Sequence, residues 1–363
     1  MKNEHSTIKF FNQFIRTLKK DIKSVGIFTD KDGTILLDDS LRETLKRFNE
    51  KNLGVHIYII ANSGRTVQNM VNSLEEQSIP TNYFDYIIGD NGGMCFDVKH
   101  NKQLYKNVME KQIVKQVIEK FIELGGETSN IRLADGKNIF AYSTADVRNY
   151  YKSTKDIIFK EDMLELSDID ITKLTLSGTH EQISSVDKFI KDNIPHYKTH
   201  LGISKFPTRV DTTYRLDFTG MYTKGTASKL LKDELGLDTC IYLGNDLNDL
   251  PMFSNALEDE DFIVIANHDY NKAITTMLEK CLKEECKAKG IEWTDAKLLV
   301  LEDEYVNGFL QKMSKILAVL NSGRKPQDIR HKYRVVNKNR NEQANQTKKR
   351  FDKNRRVNQK NYR

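Results

Sequence analysis

Two carboxylates two positions apart, Asp30 and Asp32, follow the apolar run Val25-Gly26-Ile27-Phe28-Thr29 and lead into Gly33-Thr34. In an extended chain positions 30 and 32 point the same way, so both acids can face one ligand. At the carboxyl end of a strand in an open α/β sheet, that ligand would lie in the crevice beyond the strand ends. Close like charges repel and raise one pKa unless a cation intervenes. A hard cation with oxygen ligands, most simply Mg²⁺, would relieve the repulsion. Taken alone, the pair could equally be a solvated acidic turn.

The surrounding chain must supply the elements that aim these acids. Apolar strands alternate with amphipathic helices: Val25 to Thr29, a helix from about Ser40 to Asn52, Val55 to Ala61, a helix from about Gly64 to Leu74, then Tyr86 to Gly89. That alternation predicts a parallel sheet with right-handed crossovers. After Asn91-Gly92-Gly93 the pattern changes to a hairpin, a helix over Met109 to Leu124, strands at Ile139 to Tyr142 and Ile171 to Leu176, and a helix from about Glu181 to Asn193. A compact α+β unit inserted into the first is the expectation. Alternation resumes with a helix from Lys224 through Leu235, the strand Cys240 to Leu243, a short helix at Leu250 to Phe253, the strand Phe262 to Ala266 and a long helix to about Ala288. We expect a split core at 1–95 and 207–320, a cap domain at 96–206 and a tail at 321–363.

Composition narrows the class. The chain has 363 residues, 38% apolar and 30% charged, a soluble balance with room for about two domains. No run reaches the 18 or more apolar residues of a membrane helix. Ile8, Phe11, Phe14, Ile15 and Leu18 have helical spacing among charges, which reads as an amphipathic helix, and Glu4 and Asp21 count against a mitochondrial presequence. The net charge is +6, yet 324–363 holds 15 of the 57 basic and 3 of the 51 acidic residues, which leaves the rest at −6. Lys348-Lys349-Arg350 and Arg355-Arg356, interleaved with Tyr333, Phe351 and Tyr362, could track a nucleic-acid backbone without specificity; a merely solvated disordered tail is the simpler reading. Four cysteines, Cys95, Cys240, Cys281 and Cys286, show no disulfide or zinc spacing and suit a reduced, cytoplasmic protein. His56, His180, His196 and His200 form no metal-ligand pattern, and neither a Gly-x-Ser-x-Gly elbow nor a Walker A loop occurs.

Four segments in order carry a resemblance to the haloacid dehalogenase (HAD) superfamily of phosphohydrolases. Asp30-Lys31-Asp32-Gly33-Thr34 resembles its DxDGT signature, and Asn62-Ser63-Gly64-Arg65-Thr66 resembles the second, after the strand Ile57-Tyr58-Ile59-Ile60-Ala61. There the Ser63 hydroxyl can bond a phosphoryl oxygen and Gly64 allows close backbone approach; by itself Ser63 could simply cap the helix that follows. Lys224-Gly225-Thr226-Ala227 is similar to the lysine signature of the Cof-like branch, and Gly244-Asn245-Asp246-Leu247-Asn248-Asp249 to its acidic loop. The likeness covers about residues 24 to 290, and the insertion matches in position the branch's C2-type (IIB) cap.

The resemblance implies a Rossmann-like core with an inserted cap and a Mg²⁺-dependent phosphatase acting on a small phosphorylated metabolite, with sugar phosphates favoured. Asp30 would attack phosphorus to give an aspartyl phosphate, and Asp32 would protonate the leaving oxygen and later activate water. Ser63, Gly64 and Lys224 would hold the phosphate. The metal would sit among Asp30, Asp32, Asn245, Asp246 and Asp249. One departure stands out: the branch has Gly-Asp-x-x-Asn-Asp in the acidic loop, and here Asn245 occupies the first aspartate position with Asp246 after it. Either the Asn245 carbonyl serves the metal or Asp246 takes over. Two other classes share these features: a catalytically weakened scaffold that holds RNA through its tail, and a sugar phosphotransferase. Arg132, Lys205, Arg209 and Tyr214 are cap residues that could meet substrate. Substrate identity and oligomeric state are not encoded in these motifs.

Overall fold

In the computed structural model, the described residues are 2–18, 22–50, 54–145, 148, 157–204, 213–267, 272–293, 297–302 and 306–321. The basic tail, Lys205 and Arg209 lie outside them. Among the described residues a larger sheet of eight strands runs in the order β14-β13-β12-β1-β2-β3-β4-β5. Its parallel part is β1 (Ser24–Thr29), β2 (His56–Asn62), β3 (Tyr86–Gly89), β12 (Thr239–Gly244), β13 (Phe262–Asn267) and β14 (Leu298–Glu302). β1 lies between β2 and β12, so the chain winds outward from it in both directions. The carboxyl ends of β1 and β12 therefore flank the switch point where such sheets bind ligands.

Helices cover both faces, as burial of continuous apolar strands requires. α1 (Lys2–Leu18) and α9 (Asn307–Asn321) join α2 (Asp39–Glu50) and α3 (Val67–Glu76) around one cluster, in which Phe10 meets Phe262 and Phe309 edge-on at 5.2 and 5.5 Å. The amphipathic reading of the opening segment holds, with Phe10, Phe11 and Phe14 buried and Ile8 exposed. α6 (Lys224–Leu235), α7 (Leu250–Glu258) and α8 (Lys272–Ala288) pack on the opposite face with Phe28, Ile60 and Tyr242. Cys95 and Cys240 are buried in strands, and all four thiols are free.

The smaller sheet runs β10-β11-β9-β6-β7-β8. Its strands are β6 (Ile131–Ala134), β7 (Ile139–Tyr142), β8 (Ile157–Lys160), β9 (Lys173–Gly178), β10 (Lys198–Ser204) and β11 (Thr213–Thr219), backed by α4 (Lys111–Glu123) and α5 (His180–Asn193). Leu133, Leu174, Leu176, Leu216 and Phe218 face those helices in a separate apolar cluster. Sheet membership divides the chain later than the expected 96–206. The hairpin β4 (Met94–Asp97) and β5 (Lys102–Lys106) extends the larger sheet, because Met94–Asp97 pairs antiparallel with Tyr86–Gly89. At the other end β11 pairs with β9 and β10 and belongs to the smaller sheet.

Candidate active site

The amide of Asp30 donates to the carbonyl of Leu243 at 2.9 Å, which seats this acid just beyond β1 and against the end of β12. Lys224 opens α6, whose N-cap Thr223 accepts from the amide of Thr226. Its ammonium is wholly buried and donates to Asp30 Oδ1 at 2.6 Å and to Asp249 Oδ1 at 2.7 Å. Asn62, at the end of β2, ties that helix in place by donating to Lys224 O and Ser228 Oγ. Three of the four segments thus meet at one buried cation.

Asp249 folds back beneath its own loop: its Oδ2 accepts the amides of Asn245 and Asp246 at 2.8 and 3.0 Å. Gly244 permits this, since a side chain there would come within 2.5 Å of the Asp249 carboxylate. The Asn245 side-chain carbonyl accepts the Thr34 hydroxyl at 3.0 Å, both residues being buried. Asp246 caps the single turn Leu247–Asp249 by accepting from the Leu247 amide.

Burial pushes the Asp30 carboxyl up to about 7; the Lys224 charge opposes the shift, while Asp249 and Asp32 reinforce it. For Lys224, burial acts downward but the charges of Asp249 and Asp30 win and hold its proton firmly. Burial and the Asp249 charge raise Asp246 as well. Asp32 behaves oppositely. Burial would raise it, yet hydrogen bonds from Arg65 and the charges of Arg65 and Lys31 hold it down to about 2. The Arg65 fork is bidentate, Nε to Asp32 Oδ2 at 2.7 Å and Nη2 to Oδ1 at 2.9 Å, and Asn69 Oδ1 steadies Nη1 at 2.7 Å.

Ser63 is buried beside Asn62, and its Oγ accepts from the Arg65 amide. The N-cap of α3 is Thr66, whose Oγ1 accepts from the Asn69 amide, so Ser63 is not spent on capping. The Gly64 carbonyl accepts from Lys173 Nζ of the cap. Asn91 joins three parts of the molecule: its Nδ2 donates to Asp217 Oδ2 of β11, and its Oδ1 accepts from Asn248. At neighbouring Gly92 a side chain would meet the Thr223 carbonyl oxygen at 2.5 Å. Arg132 is buried in the cap and Tyr214 half-buried. Arg65, Asn91, Lys173 and Arg215 escaped the sequence-based site. Of these only Arg65, directly after Ser63-Gly64, and Asn91, before the Gly-Gly pair, stand next to a motif.

Among the described residues no three His, Cys, Asp or Glu side chains gather closely enough to hold a metal ion by themselves. The donors at the mouth are nonetheless all hard oxygens, and Asp30 lacks enough positive charge nearby to stay fully ionised. A divalent cation fits that deficit, with Asp30, the Asn245 carbonyl and Asp246 as the available donors. Asp249 is committed to Lys224 and two amides, and Asp32 to Arg65.

The acid-lysine cluster thus lies at the switch point of an open α/β sheet. The chain belongs to the haloacid dehalogenase-like hydrolase family, whose model matches residues 27–259. No curated protein sequence matches it. A haloacid dehalogenase-like hydrolase from Bacteroides thetaiotaomicron is similar in structure, with a TM-score of 0.55 and 19% identity over 81% of this chain and 100% of the other. A protein from Eubacterium rectale gives 0.55 and 19% over 80% and 99%. A HAD subclass IIB sugar phosphatase gives 0.50 and 19% over 74% and 100%. These likenesses establish a shared fold. No helix among the described residues is long and apolar enough to cross a membrane.

Proposed function

We propose that this protein is a Mg²⁺-dependent phosphatase that hydrolyses a small phosphorylated metabolite through an aspartyl-phosphate intermediate. The observation that carries the reading is the buried Lys224 ammonium held between Asp30 and Asp249 at 2.6 and 2.7 Å. It supports the reading because a buried carboxylate, a fixed cation and an acid that gathers two loop amides stand within hydrogen-bond reach of one another. A sugar phosphate is the favoured substrate class, in keeping with the sugar phosphatase among similar folds. The free cysteines accord with a cytoplasmic location.

Asp30 Oδ attacks phosphorus and the bond to the leaving oxygen breaks, which leaves the phosphoryl group on the aspartate. Lys224 keeps Asp30 oriented and balances charge on the transferring oxygens. Ser63 Oγ and the backbone at Gly64 hold the phosphoryl group. Asp32 gives the leaving oxygen its proton and later takes one from the water that cleaves the aspartyl phosphate. The Arg65 fork favours the ionised form of Asp32; Asp32 takes up the proton it donates from solvent once that fork turns from it toward the incoming phosphate. A bound Mg²⁺, held by Asp30, Asn245 and Asp246, would supply Lewis-acid stabilisation of the phosphoryl oxygens. The cap excludes water during transfer.

The test is release of inorganic phosphate from a panel of phosphorylated metabolites with and without Mg²⁺. At least one member is turned over with the metal, and Asp30→Asn lowers that rate about a thousandfold or more. Unchanged turnover in Asp30→Asn would remove Asp30 from its role.

A further inference from the structure

The underside of the cap presents polar groups that this reaction does not use. In the antiparallel pairing of β9 with β11, Thr175 stands opposite Asp217 and Ser177 opposite Arg215. Arg132 of β6 stands opposite Thr175. Directly opposed residues share a face, and this one is turned away from the apolar cluster under α4 and α5. It looks onto the core, because Asn91 donates to Asp217 and Lys173 to the Gly64 carbonyl across the gap. Gly202 of β10 stands opposite Arg215 in the register.

Asp217 is already engaged. It accepts from the Thr175 hydroxyl at 2.7 Å and from Asn91 at 3.1 Å, and its approach to Arg215 Nε is a longer 3.6 Å. Among the described residues the buried Nε of Arg215 has no hydrogen-bond partner, and neither has the Oγ of Ser177, which is 1% exposed. An unsatisfied buried hydroxyl beside an under-used guanidinium is an arrangement that calls for an acceptor. Arg215 also feels the carboxylates of Asp246, Asp32 and Asp30, after that of Asp217, so the fork sits within electrostatic reach of the reacting mouth.

We propose that Arg215 and Ser177 form a second anion subsite, which binds a carboxylate or phosphate on the part of the substrate remote from the phosphoryl group under attack. The preferred substrates are then phosphomonoesters with a second negative group. This rests on the phosphatase reading above and narrows its substrate class.

Three probes differing at the remote end test it: glucose 6-phosphate, 6-phosphogluconate and glucose 1,6-bisphosphate. Steady-state kinetics with Mg²⁺ is measured for the wild type, Arg215→Gln, Arg215→Lys and Ser177→Ala, and calorimetric Kd values in the Asp30→Asn background. The wild type favours one of the two doubly anionic probes over glucose 6-phosphate by about tenfold or more in kcat/KM; whichever it is identifies the group as carboxylate or phosphate. Arg215→Gln brings that ratio close to one, chiefly through KM, Ser177→Ala lowers it less, and Arg215→Lys restores part of it. A wild-type ratio of one or below, a ratio unmoved by Arg215→Gln, or an equal loss on all three probes overturns the subsite. Should none be hydrolysed, the Kd ratios decide alone: a preference lost in Arg215→Gln upholds the subsite while the phosphatase reading fails on these probes, and no binding of any probe overturns it.

Discussion

Lys224 in the core and Arg215 in the cap are both cations set among carboxylates, yet their surroundings differ in kind. Lys224 is sealed from solvent, and each neighbouring carboxylate lies within 2.7 Å. Arg215 has a side chain about one-third exposed, its Nε 3.6 Å from the Asp217 carboxylate and without a hydrogen-bond partner among the described residues. A closed cluster of this kind fixes geometry before a ligand arrives, which is what a reacting centre requires. A cation with donors to spare is complete only when a ligand supplies the acceptor. Under the proposed function, the core would serve the step common to all substrates and the cap would choose among them.

Removing the two charges separates these roles most sharply. Lys224→Met leaves Asp30 and Asp249 buried without their counter-charge and lowers unfolding stability by about 3–5 kcal/mol, besides abolishing turnover. Arg215→Met changes stability by less than about 1 kcal/mol, as expected of a loosely paired and partly exposed charge. Urea unfolding of both variants checks the contrast. Equal losses would break it, and would make Arg215 a structural cation.

The acidic loop offers the next largest effect. Asn245 brings a neutral carbonyl, already bound by the Thr34 hydroxyl, to the mouth. Asn245→Asp adds a charge and tightens Mg²⁺ binding about tenfold, or roughly 1.4 kcal/mol, by calorimetry. Unaltered affinity would transfer the metal contact to Asp246. In either case the effect is confined to the core and leaves the preference among remote groups on the substrate where it was.

The same division decides what could be read from the residues alone. Asp30 was legible as one of two acids at the end of an apolar strand, while Ser63, Lys224 and Asp249 stood out only through the resemblance of their segments to the family's signatures; the α/β core followed from the alternation of strands and helices. Asp32 was legible as an acid, but its partner was not, because the Arg65 fork reaches it across 33 positions. The cap hid its polar face. Arg215, Asp217, Lys173 and Thr175 alternate with apolar residues, a pattern that on an antiparallel strand ordinarily marks a solvated side; only the packing of that side onto the core turns it inward. β14 and α9 were missed for a different reason. Their burial against α1 and α2 depends on contacts between the two ends of the described chain, which no window of neighbouring residues contains.

Arg65 lies between the two extremes, bidentate to Asp32 yet on a carboxylate about half exposed. Arg65→Gln should therefore cost little, a few tenths to about 1 kcal/mol near pH 6. The sign of its pH dependence is fixed by the direction of the shift. Asp32 is depressed from 3.8 to about 2 in the folded protein, so the pair stabilises the fold above the unfolded value and loses that contribution as pH falls through the folded one. Urea unfolding of wild type and variant at several pH values should show a gap that is constant above about pH 5 and closes by about pH 1. Added salt should narrow it too, because the pair is reached by solvent. A gap independent of pH would mean that Arg65 stabilises through Asn69 and Ser73 instead. The charge on Asp32 would then be free to change as substrate enters, without the arginine having to move.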